Sequence, residues 1–190
     1  FESLDFVPEG AQLPADREAL TSAMDTIDEG YFETMGIPLV AGRRFLASDT
    51  QETPRVAIVN EHLAKRWWPG ADPIGRRIRV PGAPVYPLRT IVGVVGDVKH
   101  FGLHLPVTPQ AYVPHAQPPW RMPVMTGVVR ADAERDPLSL VSAVREHVRS
   151  IDPLQPVTRI QTFDEIVGQS LATRRFTLVL LASFAGTAVL

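Results

Sequence analysis

Eighteen prolines are spread along these 190 residues, about 9% where roughly 5% is usual. Each removes a backbone donor and fixes φ, so a chain punctuated this often is poorly suited to long helices. Many short strands and turns are expected, and the proline load argues against a helical bundle. It is heaviest in residues 101–123, which read as extended loop with one short strand around residues 111–113.

Between the prolines the elements separate clearly. A strand-like start with a Pro/Gly-containing loop fills residues 1–14, and residues 20–27 return as a second strand. Residues 28–35 read as a short helix that Asp28 can cap, with Tyr31, Phe32 and Met35 on its apolar side. A strand follows at Leu39 and Val40, and the β-branched run of residues 55–59 predicts a buried strand. Asn60 then caps a helix over residues 60–68, with Glu61 in its first turn and Lys65 and Arg66 in its last. Leu63 and Trp67 lie four apart, so Trp67 is expected to be the buried tryptophan and Trp68 the milder site. Strands are expected at residues 76–80, 90–98, 124–130 and 156–161. Asp136-Pro137 opens an amphipathic helix whose apolar stripe is Leu138, Val141, Val144, Val148 and Ile151.

Thr162-Phe-Asp-Glu165 is a capping box that starts the last helix. No proline follows, and residues 176–190 carry no charge. As a helix those fifteen residues span about 22 Å against a hydrocarbon core of roughly 30 Å. They stop without a cap or a Gly-Pro terminator, and we read them as the first part of a membrane span.

Nineteen basic residues against twenty-one acidic ones leave a formal charge of −2. That balance lacks the basic excess a nucleic-acid partner requires. The hydrophobic share of 45% against 21% charged excludes a disordered tail. Zero cysteines remove disulfide scaffolds, cysteine zinc sites and thiol nucleophiles together.

Three motifs tempt a chemical reading. Gly70-Ala-Asp-Pro-Ile-Gly75 has phosphate-loop glycines but lacks the Lys and Ser/Thr and leads into a strand, so it reads as a turn. Asp97, His100 and His104 are the nearest approach to a metal set, yet Gly102 and Pro106 disfavour the helix that would align the histidines. The carboxylates Asp25, Asp28, Glu29 and Glu33 surround a helix start, where negative charge stabilises without catalysis. Trp67, Trp68 and Trp120 read as core packing or an interface platform. No catalytic residue, cofactor site or metal site is assigned.

Taken in order, several segments resemble the MacB-like periplasmic core domain of ABC transporter permeases of the FtsX type. They are Gly30-Tyr-Phe-Glu-Thr-Met-Gly-Ile-Pro-Leu-Val-Ala-Gly-Arg-Arg-Phe45, Val56-Ala-Ile-Val-Asn-Glu-His-Leu-Ala-Lys-Arg-Trp-Trp-Pro69, Asp72-Pro-Ile-Gly-Arg-Arg-Ile-Arg79, Ile91-Val-Gly-Val-Val-Gly-Asp-Val-Lys-His100 and Arg174-Arg-Phe176. The Pro-rich form is similar to the duplicated orphan permeases of acidobacteria.

The resemblance implies a mixed α+β extracytoplasmic module of two lobes, ending in the start of a transmembrane helix. Residues 1–175 would form the domain: a porter-like lobe from 1–36 and 121–175, and an inserted lobe from 37–120. It implies a bacterial inner-membrane permease with a cytoplasmic ABC ATPase, a second permease subunit or half, and a periplasmic adaptor or substrate as partners. Arg174 and Arg175 would mark the outer membrane boundary, where long arginine stems reach the headgroups. The alternative is an extracytoplasmic ligand-sensing domain of a membrane receptor; a soluble hydrolase using Asp97, His100 and His104 stands third.

Overall fold

The computed structural model describes residues 3–4, 6–11, 22–79, 87–100, 102–103, 105–118 and 124–170. The expected positions Trp120, His104, Arg174 and Arg175 and the uncharged stretch 176–190 lie outside them. Among the described residues, no helix is long and apolar enough to cross a membrane.

The fold is mixed α+β. Its strands are β1 Ser3–Leu4, β2 Val7–Pro8, β3 Ser22–Ile27, β4 Leu39–Gly42, β5 Val56–Asn60, β6 Arg77–Arg79, β7 Arg89–Val95 and β8 Gln110–Pro114. They join one mixed sheet in the order β1-β3-β8-β5-β7-β6-β2, with β4 also on β7. β3 runs parallel to β8 and β5 parallel to β7, while β5 and β8 are antiparallel. Two short helices accompany the sheet, α1 Tyr31–Met35 and α2 Glu61–Trp67.

β5 is buried along its whole length, as its unbroken apolar run predicts for a central strand covered on both faces. Alternation sends Ala57 and Val59 into one core cluster with Leu63, Trp68, Ile91 and Val113. Val56 and Ile58 enter a second cluster with Phe32, Phe45, Val95 and Tyr112. The ring of Phe32 meets Tyr112 edge-on at 4.9 Å between centroids, a favoured aromatic geometry.

The motif Gly42-Arg43-Arg44-Phe45 has a steric cause. Gly42 pairs with Gly93 of β7, and a Cβ on Gly42 would lie 2.3 Å from the Val92 carbonyl oxygen. Only glycine lets the two backbones approach this closely, and the φ of +75° at Gly42 favours it again. Immediately beyond, Arg43 grips Asp49 with two bonds, Nη1 to Oδ2 at 2.8 Å and Nη2 to Oδ1 at 2.9 Å. The Leu46 N–H donates to the same carboxylate at 2.9 Å. Burial alone pushes the Asp49 carboxyl up, but the Arg43 and Leu46 bonds and the Arg43 charge outweigh it and hold it below the usual range. A carboxylate depressed in this way stabilises the fold above its unfolded pKa and loses that contribution as pH falls through the folded value. Asp49→Asn is therefore expected to lower stability at neutral pH and to flatten the acid-side loss below about pH 4. Urea melts down the pH scale check it: an unchanged acid slope would remove Asp49 from the account.

At the start of β5, Gln117 and Arg89 close this end of the sheet. The Gln117 amide accepts from the Val56 N–H at 3.0 Å and donates to the Thr50 carbonyl at 2.7 Å. Arg89 is buried and donates to the Val56 and Gln117 carbonyls at 3.1 and 2.7 Å. Burial, then the charge of Arg55, lowers Arg89 to about 10, so it remains cationic at neutral pH and is held by carbonyl dipoles.

Several expectations are corrected. Residues 124–130 and 156–161 are not strands; among the described residues neither finds a ladder partner, and β-branched residues alone cannot supply one. Asp28 does not cap α1: Gly30 is the N-cap residue, and no side chain bonds there. Apart from these corrections, Phe1–His100 with Pro106–Val128 form one compact unit, and the two-lobe division stays an expectation of the resemblance. Within that unit the β3–β8 pairing binds the early chain to residues 110–114 in one sheet.

The second unit comprises Phe101–Leu105 and Val129–Leu190. In it Asp136 caps a 3-10 turn, Pro137–Leu140, that opens α3, Val141–Ile151. No residue of α3 is buried, so the expected stripe remains half-covered at Val141, Val144 and Val148 and open at Leu138 and Ile151. The capping box forms as the sequence predicts: Thr162 N–H donates to Glu165 Oε2 at 2.8 Å, and Glu165 N–H donates to Thr162 Oγ1 at 3.2 Å. Residues 163–170 are helical.

Candidate functional site

The polar groups of the first unit gather where β5 ends and α2 begins. Asn60 is fully buried, and its Oδ1 accepts from the Leu63 N–H at 2.9 Å as the predicted cap. The same oxygen accepts from the Gln110 N–H of β8 at 2.9 Å, and Nδ2 donates to the Thr108 carbonyl at 2.9 Å. One side chain therefore caps a helix and fastens a strand fifty residues away. Asp97, in the segment after β7, accepts from the His62 N–H at 2.9 Å and satisfies another amide of the same helix start.

Beside this knot, Gln110 Nε2 lies 2.6 Å from Asp25 Oδ2 and 3.2 Å from His100 Nδ1. Because an amide nitrogen can only donate, His100 Nδ1 is the acceptor in this contact. The Asp25 carboxylate is 3.6 Å from His100 Nδ1. Tyr112 is fully buried with its hydroxyl unbonded. Burial, followed by the charges of Tyr31, Asp25 and Asp97, pushes its titration far up, so the phenol stays neutral.

The structure thus separates the three residues considered for a metal. Asp97 faces α2, His100 faces Asp25 and Gln110, and His104 lies outside the described residues. Among the described residues, no cluster of three or more His, Cys, Asp or Glu converges. Asp25 keeps the strand position expected for residues 20–27, on β3, and faces Gln110 across 85 residues of chain. Sequence alternation could place Asp25 on a strand face; it carries no signal for that partner. Gly70 and Gly75 bound turns, with Asp72 Oδ1 accepting from the Ile74 N–H at 2.9 Å, and the chain then enters β6.

The tryptophans reverse the expected order. Trp68 is 8% exposed and belongs to the core cluster, whereas Trp67 packs against it only partly buried. Trp67 instead donates its indole N–H to the Phe6 carbonyl at 3.1 Å. Trp68 is the C-cap residue, its N–H donating to the Ala64 carbonyl, and it enters the core cluster together with Ala64, four residues earlier.

A family model described as MacB-like periplasmic core domain matches residues 6–148. The chain belongs to that family. The macrolide export ATP-binding/permease proteins MacB of Neisseria gonorrhoeae and Neisseria meningitidis are 28% identical to it over 94 residues. That stretch is 49% of this chain and 14% of theirs, so the chain spans only a small part of those relatives. The crystal structure of the periplasmic region of MacB from Actinobacillus actinomycetemcomitans aligns with TM-score 0.55 at 17% identity. It covers 79% of this chain and 63% of that one. The likeness supports the mixed α+β fold of a MacB-like periplasmic core domain. Within that fold the Asn60 knot reads as an architectural joint, because the bonds traced through it run between elements of the domain itself.

Proposed function

We propose that this chain is the extracytoplasmic domain of an ABC transporter permease of the MacB/FtsX type. In this reading it lies on the periplasmic side of a bacterial inner membrane and relays ATP-driven motion of membrane helices to transport or extraction of a substrate. ATP hydrolysis is assigned to a cytoplasmic ABC ATPase, and the domain itself carries no chemistry. A second permease half and a periplasmic adaptor or substrate complete the assembly.

Family membership supports the placement. The relay rests on the capping box at Thr162 and Glu165, which starts the helix of residues 163–170; Arg174, Arg175 and the uncharged stretch 176–190 follow in the sequence. A helix fixed at its N-terminus, with no proline after it, transmits displacement without a flexible joint. Inserting Gly-Gly-Ser between Arg175 and Phe176 is expected to leave the upstream domain folded and to uncouple ATP turnover from transport in the full complex. Circular dichroism of the domain and paired ATPase and transport assays read the two effects. Transport that survives the insertion would overturn the relay and leave the family assignment standing.

A further inference from the structure

We infer that the turn following α3 is a contact site for an anionic phospholipid headgroup, an inference that rests on the membrane placement proposed above. Arg145 and Arg149 stand four apart on α3 and share a face. Together with residues 153–157 they line a cavity of about 230 Å³. Among the described residues, no ion pair joins either guanidinium to a carboxylate. Like charges at this spacing repel. The negative end of the helix accounts for Arg149 in the last turn; it does not account for Arg145, one turn earlier. The neighbouring carboxylate, Asp152, already accepts from the Leu154 N–H at 2.9 Å through Oδ1.

Two aliphatic side chains stand out of the same turn, Ile151 at 74% exposed and Leu154 at 90%. Pro153 and Pro156 stiffen the backbone that carries Leu154. Arginines without carboxylate partners beside projecting aliphatics match the bilayer interface: guanidinium forks bind phosphate oxygens while short alkyl groups enter the acyl boundary. The cavity, at about 230 Å³, admits a phosphodiester. The helix at residues 163–170 and the uncharged stretch 176–190 follow closely in the chain and would tether this turn near the surface.

The absence of cysteine gives a direct test with the full chain. Single Leu154→Cys and Ser183→Cys variants carry an environment-sensitive fluorophore in vesicles of phosphatidylethanolamine and phosphatidylglycerol. Spin-labelled lipids then quench from the headgroup layer or from the bilayer centre. The expected result is deep quenching at position 183 and headgroup quenching at position 154. The signal at 154 is expected to fall to about half or less when Arg145→Gln and Arg149→Gln are added, or when phosphatidylcholine replaces the anionic lipid. Quenching at 183 with none at 154 overturns the inference and leaves the membrane placement intact. A label at 154 shielded from aqueous iodide yet unreached by lipid quenchers also overturns it, in favour of a protein contact. No quenching at either position removes the placement on which the inference rests.

Discussion

Trp68→Ala is expected to destabilise the domain by about 3–5 kcal/mol, the range for truncating a buried aromatic. Trp67→Ala is expected to cost only about 1–2 kcal/mol, from one hydrogen bond and a half-covered ring. The difference follows from where each ring lies. Trp68 fills the cluster with Ala57, Val59, Leu63 and Ile91 beneath α2, and its removal leaves a cavity that flanking strands cannot collapse to fill. Trp67 sits at the margin of that cluster and reaches the Phe6 carbonyl. Trp67→Phe keeps much of the ring and removes the donor, so it isolates the bond at about 0.5–1.5 kcal/mol. Denaturant melts of the three variants decide the matter: Trp67→Ala as damaging as Trp68→Ala would contradict this packing.

The same residues mark what the sequence could reveal. The limits of α2 were legible because its signals are local: an amide side chain at Asn60, an acid at Glu61, and bases at Lys65 and Arg66. The facing of its last residues was not. Helical spacing pairs Trp67 with Leu63 and Trp68 with Ala64, and both partners are buried, so spacing alone does not rank the two rings. Strand β5 was legible from its apolar run, whereas residues 124–130 and 156–161 also hold β-branched residues and form no strand. Periodicity reports a face and says nothing about a partner. Asp25 illustrates the limit inside the candidate site, since its contact with Gln110 depends on the parallel register of β3 and β8. The ordered motifs conveyed the family because they combine local turns and caps with close approaches such as Gly42 on Gly93.

Asn60→Ala is expected to cost about 3 kcal/mol, well above the roughly 1 kcal/mol of an ordinary cap. The excess comes from β8. Losing Oδ1 strips the Leu63 N–H of its partner at the helix start, and it also orphans the buried Gln110 N–H. A buried donor left unpaired costs about 1–3 kcal/mol. The Thr108 carbonyl loses its donor too, but Thr108 is only partly buried, so water softens that loss. Asn60→Ser separates the contributions. A serine hydroxyl can cap Leu63, and it is too short to bridge to Gln110 as well, so it is expected to restore about 1 kcal/mol. Amide exchange supplies the second reading: the Gln110 N–H should exchange faster in both variants, while the Leu63 N–H recovers its protection in Asn60→Ser alone. Full recovery by serine would reduce Asn60 to a helix cap. Partial recovery, with Gln110 still exchanging fast, would establish it as the joint between α2 and the β8 strand that carries Gln110 to Asp25 and His100.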